Sequence, residues 1–556
     1  MTPPPAEWLT LLAPLLPALF TGLGTARRTR RLLPALCIVA PLPALALALL
    51  APDGLSLRAP WLLLGTTFGI DATARAFLLL FALLWMVASW HAFFYLRNDD
   101  RRGEFAIWLL LAMAGNIGTA VAQDALAFYA AFAVMSFASY GLVVHDRQAT
   151  SLHAGRVYIA LVILGELALF AGILLSVAAV GDPFARSADL PTFALLPLAV
   201  GFAIKAGLIP LHFWLPLAHP AAPVPASAVL SGAMIKVGLL GALRFVPLPY
   251  PDAGEFLIGL GAVSAVFGVL IGILQTNPKA LLAYSSISQM GLVAIGLGLA
   301  MTADQGSVAG IAATATILFA LHHGFAKAAL FLGTASTPGA FQGGPRLLRL
   351  AALLLPVAAL SGAPLTSGAI AKSALKSVEA GPAWVDFLLS VSSAATSVLL
   401  VRFLALMWTK GGEEKPGTLA PWLLSVILST LTLWLWPATA AFLGYGIALS
   451  AIASSLAPVL LGGSVGLVAA WLLRGVANPV VAPGDFIHGL RHITARRVKL
   501  QSSLARLDVG LPAVSSFKVK LRDLRLGDIE TRLQVWRAGA ASAVVLGLLL
   551  MLALLR

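Results

Sequence analysis

Long apolar runs recur along the whole chain, and they constrain its fold more than any other feature. Each run of about 18 or more residues can cross a hydrocarbon core of roughly 30 Å as a helix. Lipid offers no partner for backbone polar groups, so such segments are helical. Only 11% of the 556 residues are charged and 59% are hydrophobic, whereas a soluble domain carries about 25% charged residues. The sequence therefore predicts an all-α polytopic membrane protein with about 16 transmembrane helices.

Basic residues in alternate loops predict the orientation of these spans. Arg27, Arg28, Arg30 and Arg31 follow the first apolar run, whereas a secretory signal peptide would place its basic residues before that run. Loops on the same predicted side carry most of the other loop Lys and Arg, which the positive-inside rule assigns to the cytoplasm. We therefore expect a multi-pass protein of a bacterial-type inner (cytoplasmic) membrane, with both termini on the non-cytoplasmic side.

Composition along the chain predicts four regions. Residues 1–440 form the transmembrane core, 441–473 an additional helix, 474–537 a cytoplasmic segment and 538–556 a last transmembrane helix. The segment 474–537 holds twelve Lys or Arg against five acidic residues. It is equally suited to lie on anionic lipid, anchoring the last helix, or to dock a partner subunit.

Several chemistries have no recognisable residues in this chain. The single cysteine, Cys37, excludes an internal disulfide and an iron–sulfur cluster ligated by this chain alone. No GxxxxGK[ST], CxxC or HExxH motif occurs. We therefore expect no cofactor, no metal site and no catalytic redox site. The formal net charge of +14 lies in short loops, inside spans or in 474–537, so it does not indicate nucleic-acid binding.

Ionisable residues inside the apolar spans are the main functional signal. Four lysines, Lys205, Lys236, Lys327 and Lys372, face essentially one mid-span carboxylate, Glu166. A lysine at the centre of a membrane costs about 2.5–3.5 kcal/mol, so four have a functional reason to be there. Buried ion pairs cannot account for all of them. The set predicts a path for protons or other cations.

Helix breakers stand beside two of these lysines. Pro210 and Pro216 follow Lys205, and Gly362, Pro364 and Gly368 precede Lys372. Interrupted helices in corresponding places of two halves mark midplane ion sites in transporters. The sequence therefore predicts two broken helices, although a proline kink can also serve packing alone.

The stretch "LHHGFAKAALFLG" (321–333) places His323 and Lys327 four residues apart, hence on one helix face, while His322 points about 100° away. We assign His323 with Lys327 to the path and His322 mostly to packing. Four further residues are secondary candidates with structural alternatives: His212 (binding carbonyls freed by the break), Asp71 and Asp124 (helix capping) and Arg402 (extending towards the cytoplasmic end of its span).

Several separated stretches resemble one known family. "KAGLIPLHFWLPLAHPAAPVPASAVLSGAMIKVGLLGALR" (205–244), "QTNPKALLAYSSISQMG" (275–291), "HGFAKAALFLG" (323–333) and "GAPLTSGAIAK" (362–372) are similar to the antiporter-like membrane subunits. Respiratory complex I, hydrogenases of the hydrogenase-4 and formate hydrogenlyase type, and multisubunit cation/proton antiporters share these subunits. The resemblance runs from about Phe68 to Arg402.

This resemblance implies a 14-helix core with two inverted five-helix repeats, here spans 4–8 and 9–13. It also implies roles by position. Lys205 matches the lysine of the first broken helix, Lys236 that of the next helix, His323 and Lys327 the connecting pair, and Lys372 the exit-side lysine.

The chain departs from the family in its fifth span. "DALAFYAAFAVMSFASYGLV" (124–143) has Phe132 and Ala133 where the family has an aromatic residue followed by glutamate. Either coupling is altered or another acid serves. Glu166 is the one mid-span carboxylate available, and our hypothesis is that it acts as the counter-ion of Lys205.

The favoured function is a proton-translocating subunit of a multisubunit energy-converting complex, with the lipid bilayer and other membrane and peripheral subunits as partners. The alternatives are a Na⁺/proton secondary antiporter subunit, the membrane partner of an inorganic-carbon uptake complex, and a scaffold that has lost pumping. Sodium dependence of transport would favour the antiporter. Copurification with an iron–sulfur or quinone-binding protein would favour the proton-translocating subunit of an energy-converting complex.

Overall fold

The computed structural model describes residues 5–63, 65–181, 192–248, 250–303, 306–336, 346–378, 382–410, 415–447, 449–473 and 481–484. The predicted last span, 538–555, and nearly all of the basic segment 474–537 lie outside these residues. The described part is helical apart from one hairpin, as the sequence predicts.

The helices follow one another along the chain with short connections. The first part contains α1 (Pro5–Gly22), α2 (Arg27–Arg30), α3 (Leu33–Val39), α4 (Leu42–Leu50), α5 (Ala72–Tyr95), α6 (Arg102–Val121), α7 (Ala125–Val143), α8 (Ala149–Val180), α9 (Thr192–Ala206), α10 (Trp214–Ala221), α11 (Val224–Val229) and α12 (Lys236–Phe245). The second part contains α13 (Pro251–Ile273), α14 (Pro278–Thr302), α15 (Gly306–Gly333), α16 (Arg346–Ser361), α17 (Ser367–Lys376), α18 (Ala383–Lys410), α19 (Leu419–Leu435), α20 (Ala440–Ile447) and α21 (Leu449–Leu472). Short 3₁₀ turns occupy Leu23–Thr25 and Pro437–Thr439.

Twelve helical segments in the described part of the chain are long and apolar enough to cross a membrane, or 13 when the bent pair Leu419–Leu435 and Pro437–Gly444 counts as one span. The helices interrupted after Lys205 and before Lys372 are not among these segments, because α9 and α16 are each shorter than a full crossing. The prediction of a polytopic helical membrane protein is confirmed.

A small hairpin precedes α5 and has no counterpart in the sequence analysis. Strand β1 (Ser56–Ala59) pairs antiparallel with β2 (Thr66–Gly69), with Ser56 opposite Gly69. Its position between two membrane helices makes it a connection at one end of the bundle.

Both predicted helix breaks are present. After Lys205 the helix α9 ends at Ala206, and α10 begins only at Trp214. Helix α16 ends at Ser361 and α17 begins at Ser367, with Gly362 at a φ of +82° between them. Each half of the core therefore holds one interrupted helix with a lysine beside the break. The inverted symmetry that the family resemblance implies stays a prediction.

Burial separates the centre of the bundle from its lipid-facing rim. The span Pro278–Thr302 is wholly buried inside the protein and Val224–Phe245 is 94% buried, whereas Ile452–Leu472 is only 11% buried. Polar side chains in the central helices are therefore shielded from lipid by other helices. The ionisable residues of the predicted path lie in this shielded part.

Candidate functional site

Lys205 and Glu166 line one small cavity between α7, α8 and α9. The Lys205 ammonium donates a hydrogen bond to Ser136 Oγ at 3.0 Å and lies 5.2 Å from the centre of the Phe132 ring. Glu166 is only 4% exposed, and neither of its carboxylate oxygens has a hydrogen-bond partner among the described residues. Glu166, which the sequence indicates only as the one mid-span acid, thus shares a cavity with Lys205.

This cavity has room for water between the two charged groups. About 10 Å³ is open to the centre of a water molecule, close to the roughly 10–15 Å³ that one buried water requires. A water there would have the Glu166 carboxylate, the Lys205 ammonium and the Ser136 hydroxyl as partners. Proton exchange through such a water needs no direct contact between acid and lysine.

Lys236 is held by a local irregularity of its own helix. Residues Leu230–Met234 form one π-helical turn immediately before Lys236. The Lys236 ammonium donates to the carbonyl oxygen of Ser231 at 2.5 Å. π-Bulges inside helices often occur at functional sites. Here the wide turn places a backbone oxygen under a lysine that has no exposed surface.

Two serines join Lys236 to Lys327. The hydroxyls of Ser231 and Ser286 lie 2.8 Å apart. Ser286 donates to the carbonyl oxygen of Leu282 at 3.0 Å, and the Lys327 ammonium donates to that same oxygen at 2.8 Å. Polar atoms of Ser231, Ser286 and Leu282 therefore occupy the space between the two buried lysines, each of which binds a backbone carbonyl oxygen there.

His323 and His322 on α15 have different surroundings. His323 is fully buried on the face of Lys327, and neither of its ring nitrogens has a hydrogen-bond partner among the described residues. His322 Nδ1 lies 2.9 Å from Ser367 Oγ, which in turn donates to the carbonyl oxygen of Ser429 at 2.7 Å. His322 therefore contacts the first residue of α17, and its assignment mostly to packing stays a prediction.

Lys372 binds the break in the second interrupted helix. Its ammonium donates to the carbonyl oxygen of Ser361, the last residue of α16, at 3.1 Å and to Ser393 Oγ at 2.9 Å. The last carbonyls of a helix lack intrahelical partners. The break supplies Lys372 with an acceptor that an unbroken helix would not offer.

The secondary candidates take structural positions. Asp71 caps α5 by accepting from Ala74 N at 2.6 Å, and Asp124 caps α7 by accepting from Ala127 N at 2.8 Å, as the capping alternative predicts. His212 lies in the first break, its ring edge-on to Phe267 at 5.2 Å. Arg402 is 5% exposed, and its extension towards the cytoplasmic end of its span stays a prediction.

Lys279 and His219, to which the sequence pattern assigns no role, meet at the end of α10. Lys279 donates to the carbonyl oxygens of Ala222 at 2.6 Å and His219 at 3.3 Å, and the His219 ring stacks on Phe331 at 4.5 Å. This lysine thereby binds the freed carbonyls at the carboxyl end of the first broken helix. The proline-rich turn "HPAAPVP" in its neighbourhood is the signal that could have indicated such an end.

Comparisons with known proteins agree with the motifs. Residues 122–394 match the family described as NADH:quinone oxidoreductase/Mrp antiporter, transmembrane. The F(420)H(2) dehydrogenase subunit N of Methanosarcina mazei is 28% identical over 479 residues, which cover 78% of this chain and 95% of that protein. Hydrogenase-4 component B of Escherichia coli is 30% identical over 288 residues, 48% of this chain and 42% of that protein.

A solved structure shows the same fold over nearly the whole chain. A chain of the Mrp complex from Dietzia sp. DQ12-45-1b superimposes with a TM-score of 0.69 at 22% identity, covering 97% of this chain and 63% of that one. The matched stretch, residues 122–394, contains Lys205, Lys236, Lys327, Lys372 and Glu166. Residues 122–394, about half of the chain, therefore match the family of antiporter-like membrane subunits described as NADH:quinone oxidoreductase/Mrp antiporter.

Proposed function

We propose that this chain is the proton-translocating subunit of a multisubunit energy-converting membrane complex. One observation carries the proposal. Lys236, Lys327 and Lys372 bind backbone carbonyls and a serine hydroxyl, and none of these three forms an ion pair among the described residues. Such lysines are not held in a charged state by a fixed carboxylate, so their protonation is free to change.

The path begins at the cavity shared by Glu166 and Lys205. A proton moving between them by way of water or Ser136 changes the charge at Lys205. That change alters the proton affinity of Lys236, because charges act over long distances in a medium of low dielectric constant.

The serine chain carries the path into the second half. The Ser231 and Ser286 hydroxyls can each accept one proton and donate another. Transfer between these hydroxyls and the two lysines requires bridging water, because both ammonium groups bind backbone carbonyl oxygens. On the far side of α15, His322 and Ser367 reach the broken helix that holds Lys372. In this mechanism His323 and Lys327 form the link between the two interrupted helices.

The driving energy comes from a partner subunit. The sequence holds no recognisable redox or nucleotide-binding motif, and two relatives are by name components of a dehydrogenase and a hydrogenase. We propose other membrane and peripheral subunits as partners, with 474–537 as a docking segment, and a bacterial-type inner membrane with both termini outside the cytoplasm.

Replacing Glu166 tests the entry of the path. Glu166→Gln keeps the size of the side chain and removes its charge, so proton uptake by membrane vesicles containing the whole complex should collapse. Glu7→Gln, in the first turn of α1, makes the same chemical change far from the lysines and should leave uptake intact. Unchanged uptake with Glu166→Gln, in a complex of normal subunit composition, would sink the counter-ion role.

A Na⁺/proton antiporter subunit is the second candidate, favoured by the extent of the structural likeness to the Mrp complex. It predicts that a sodium gradient alone drives proton movement in vesicles. The first candidate predicts proton movement that requires the redox reaction of copurified subunits and is insensitive to sodium. A scaffold without pumping predicts no proton movement in either experiment.

A further inference from the structure

A second and much larger cavity lies behind Lys205, between α9, α12, α13 and α14. It has a volume of about 380 Å³, more than twice the roughly 150 Å³ that suffices for benzene in an apolar protein core. All 24 residues that line it are apolar or glycine. We call it the apolar cavity.

The apolar cavity opens to the lipid side of the bundle. Its most exposed lining residues are Leu196 on α9 and Phe256 on α13, with 67% and 71% of their surfaces accessible. Helix α13 is a membrane-spanning helix of which only a third is buried against the protein. The mouth between Leu196 and Phe256 therefore faces hydrocarbon.

The length of the apolar cavity follows from its lining residues. At one end Val246, just after α12, and Ala253, in the first turn of α13, mark the edge of the bundle. At the other end the cavity reaches Leu208 and Leu211 in the break of the first interrupted helix. Ala206, the residue after Lys205, belongs to its wall.

The apolar cavity is unfavourable both for water and as an empty space. Water needs two to four polar partners, and no lining residue offers a polar side chain. An empty space would deprive the surrounding side chains of dispersion contacts. A hydrocarbon chain satisfies both conditions, and the bilayer supplies such chains at the mouth.

Charge at the edge of the apolar cavity indicates which headgroup accompanies the chain. Asp252 and Glu255, both exposed in the first turns of α13, flank the lining residues Ala253 and Phe256. Two carboxylates attract an ammonium group and repel an anionic headgroup.

We propose that the apolar cavity binds one acyl chain of an amine-bearing phospholipid, with the headgroup beside Asp252 and Glu255. The chain fills the space against the first helix break and screens Lys205 from the lipid side. This role is separate from proton transfer, and it assigns a lipid site to residues that the path does not use.

Native mass spectrometry of the full chain in mild detergent tests the proposal. The delipidated protein is titrated with palmitoyl-oleoyl phosphatidylethanolamine and, separately, with the phosphatidylglycerol of the same chains. The wild type should retain one phosphatidylethanolamine about tenfold more tightly than phosphatidylglycerol, a difference of roughly 1.4 kcal/mol.

Two variants obstruct the site and one controls for them. Ala203→Phe fills the apolar cavity from α9, and Leu196→Trp narrows its mouth from an exposed position that packing tolerates. Both should weaken retention about tenfold or more. Val263→Phe adds the same ring to the lipid-facing side of α13 outside the cavity and should retain lipid as the wild type does.

A double variant tests the preference for the headgroup. Asp252→Asn combined with Glu255→Gln should remove the preference for phosphatidylethanolamine while leaving chain binding intact. Equal retention by the wild type, Ala203→Phe and Leu196→Trp would overturn the proposal. So would recovery of an isoprenoid quinone, and no phospholipid, from the purified wild type.

Discussion

At the scale of single residues, serine hydroxyls accept hydrogen bonds from two of the four buried lysines, where an ordinary buried ion pair would have a carboxylate. Lys205 binds Ser136, and Lys372 binds Ser393. Ser231 and Ser286 bridge the space between the other two lysines. A hydroxyl stabilises an ammonium without neutralising it. The lysines are therefore solvated by the protein and remain able to exchange protons.

Removing one such hydroxyl should slow transport without abolishing it. Ser136→Ala deprives the Lys205 ammonium of its hydroxyl acceptor, at a cost of about 1–3 kcal/mol for a buried donor left unsatisfied. If that cost falls on the transfer step, it corresponds to a roughly 5- to 150-fold slower rate of proton uptake in vesicles.

Ser176→Ala on α8 is the matched control, because the Ser176 hydroxyl donates to the carbonyl oxygen of Gly172 in its own helix and Ser176 does not line the Lys205 cavity. Its transport should stay near that of the wild type. Equal rates for Ser136→Ala and Ser176→Ala would show that Ser136 has no part in the path.

The sequence could identify the lysines but not their partners. A lysine in an apolar span is costly and therefore informative, whereas a serine in a helix is common and cheap to bury against its own carbonyls. Glu166 is the predicted counter-ion of Lys205 because it is the one acidic residue of the sequence in the middle of an apolar span. Its place in the Lys205 cavity depends on how α8 packs against α9, which no residue spacing predicts.

At the scale of elements, the two breaks are readable from the sequence because proline and glycine cause them directly. The π-helical turn before Lys236 is not readable. The turn packs closely against α15, where a side chain on Gly232 would approach the Gly324 carbonyl oxygen to 3.0 Å. Such contact between distant segments leaves no local signature.

A glycine in the second break should be essential for placing Lys372. Gly362 has a φ of +82°, and a methyl group there would approach Lys372 Cδ to 3.0 Å and Nζ to 3.4 Å. Gly362→Ala should cost about 1–2 kcal/mol from backbone strain and should also displace the lysine. We expect lower thermal stability together with strongly reduced proton uptake.

Gly181→Ala separates the two effects. Gly181 follows α8 with a φ of +75°, but a methyl group there meets no atom within 4 Å. This variant should lose a similar amount of stability by thermal unfolding and keep its transport. If Gly362→Ala also keeps its transport, the break does not position Lys372 for proton transfer.

At the scale of the whole molecule, the fold joins two halves that each hold an interrupted helix. The central helices α14 and α15 provide the junction, since Ser286 and Leu282 lie on one and Lys327 on the other. Composition alone predicts the membrane class and the run of spans. It cannot predict that polar atoms in the middle of the bundle connect across helices, because this depends on their rotation about their axes.

In the proposed mechanism protons cross the membrane interior through this junction, and replacing Lys327 interrupts that path at its middle. Lys327→Met keeps the length of the side chain and removes its charge, whereas Lys415→Met makes the same change at a loop lysine outside the path. The measurement is the rate of proton uptake by vesicles containing the assembled complex. We predict loss of uptake with Lys327→Met and normal uptake with Lys415→Met, at equal amounts of complex. Normal uptake with Lys327→Met would contradict the account.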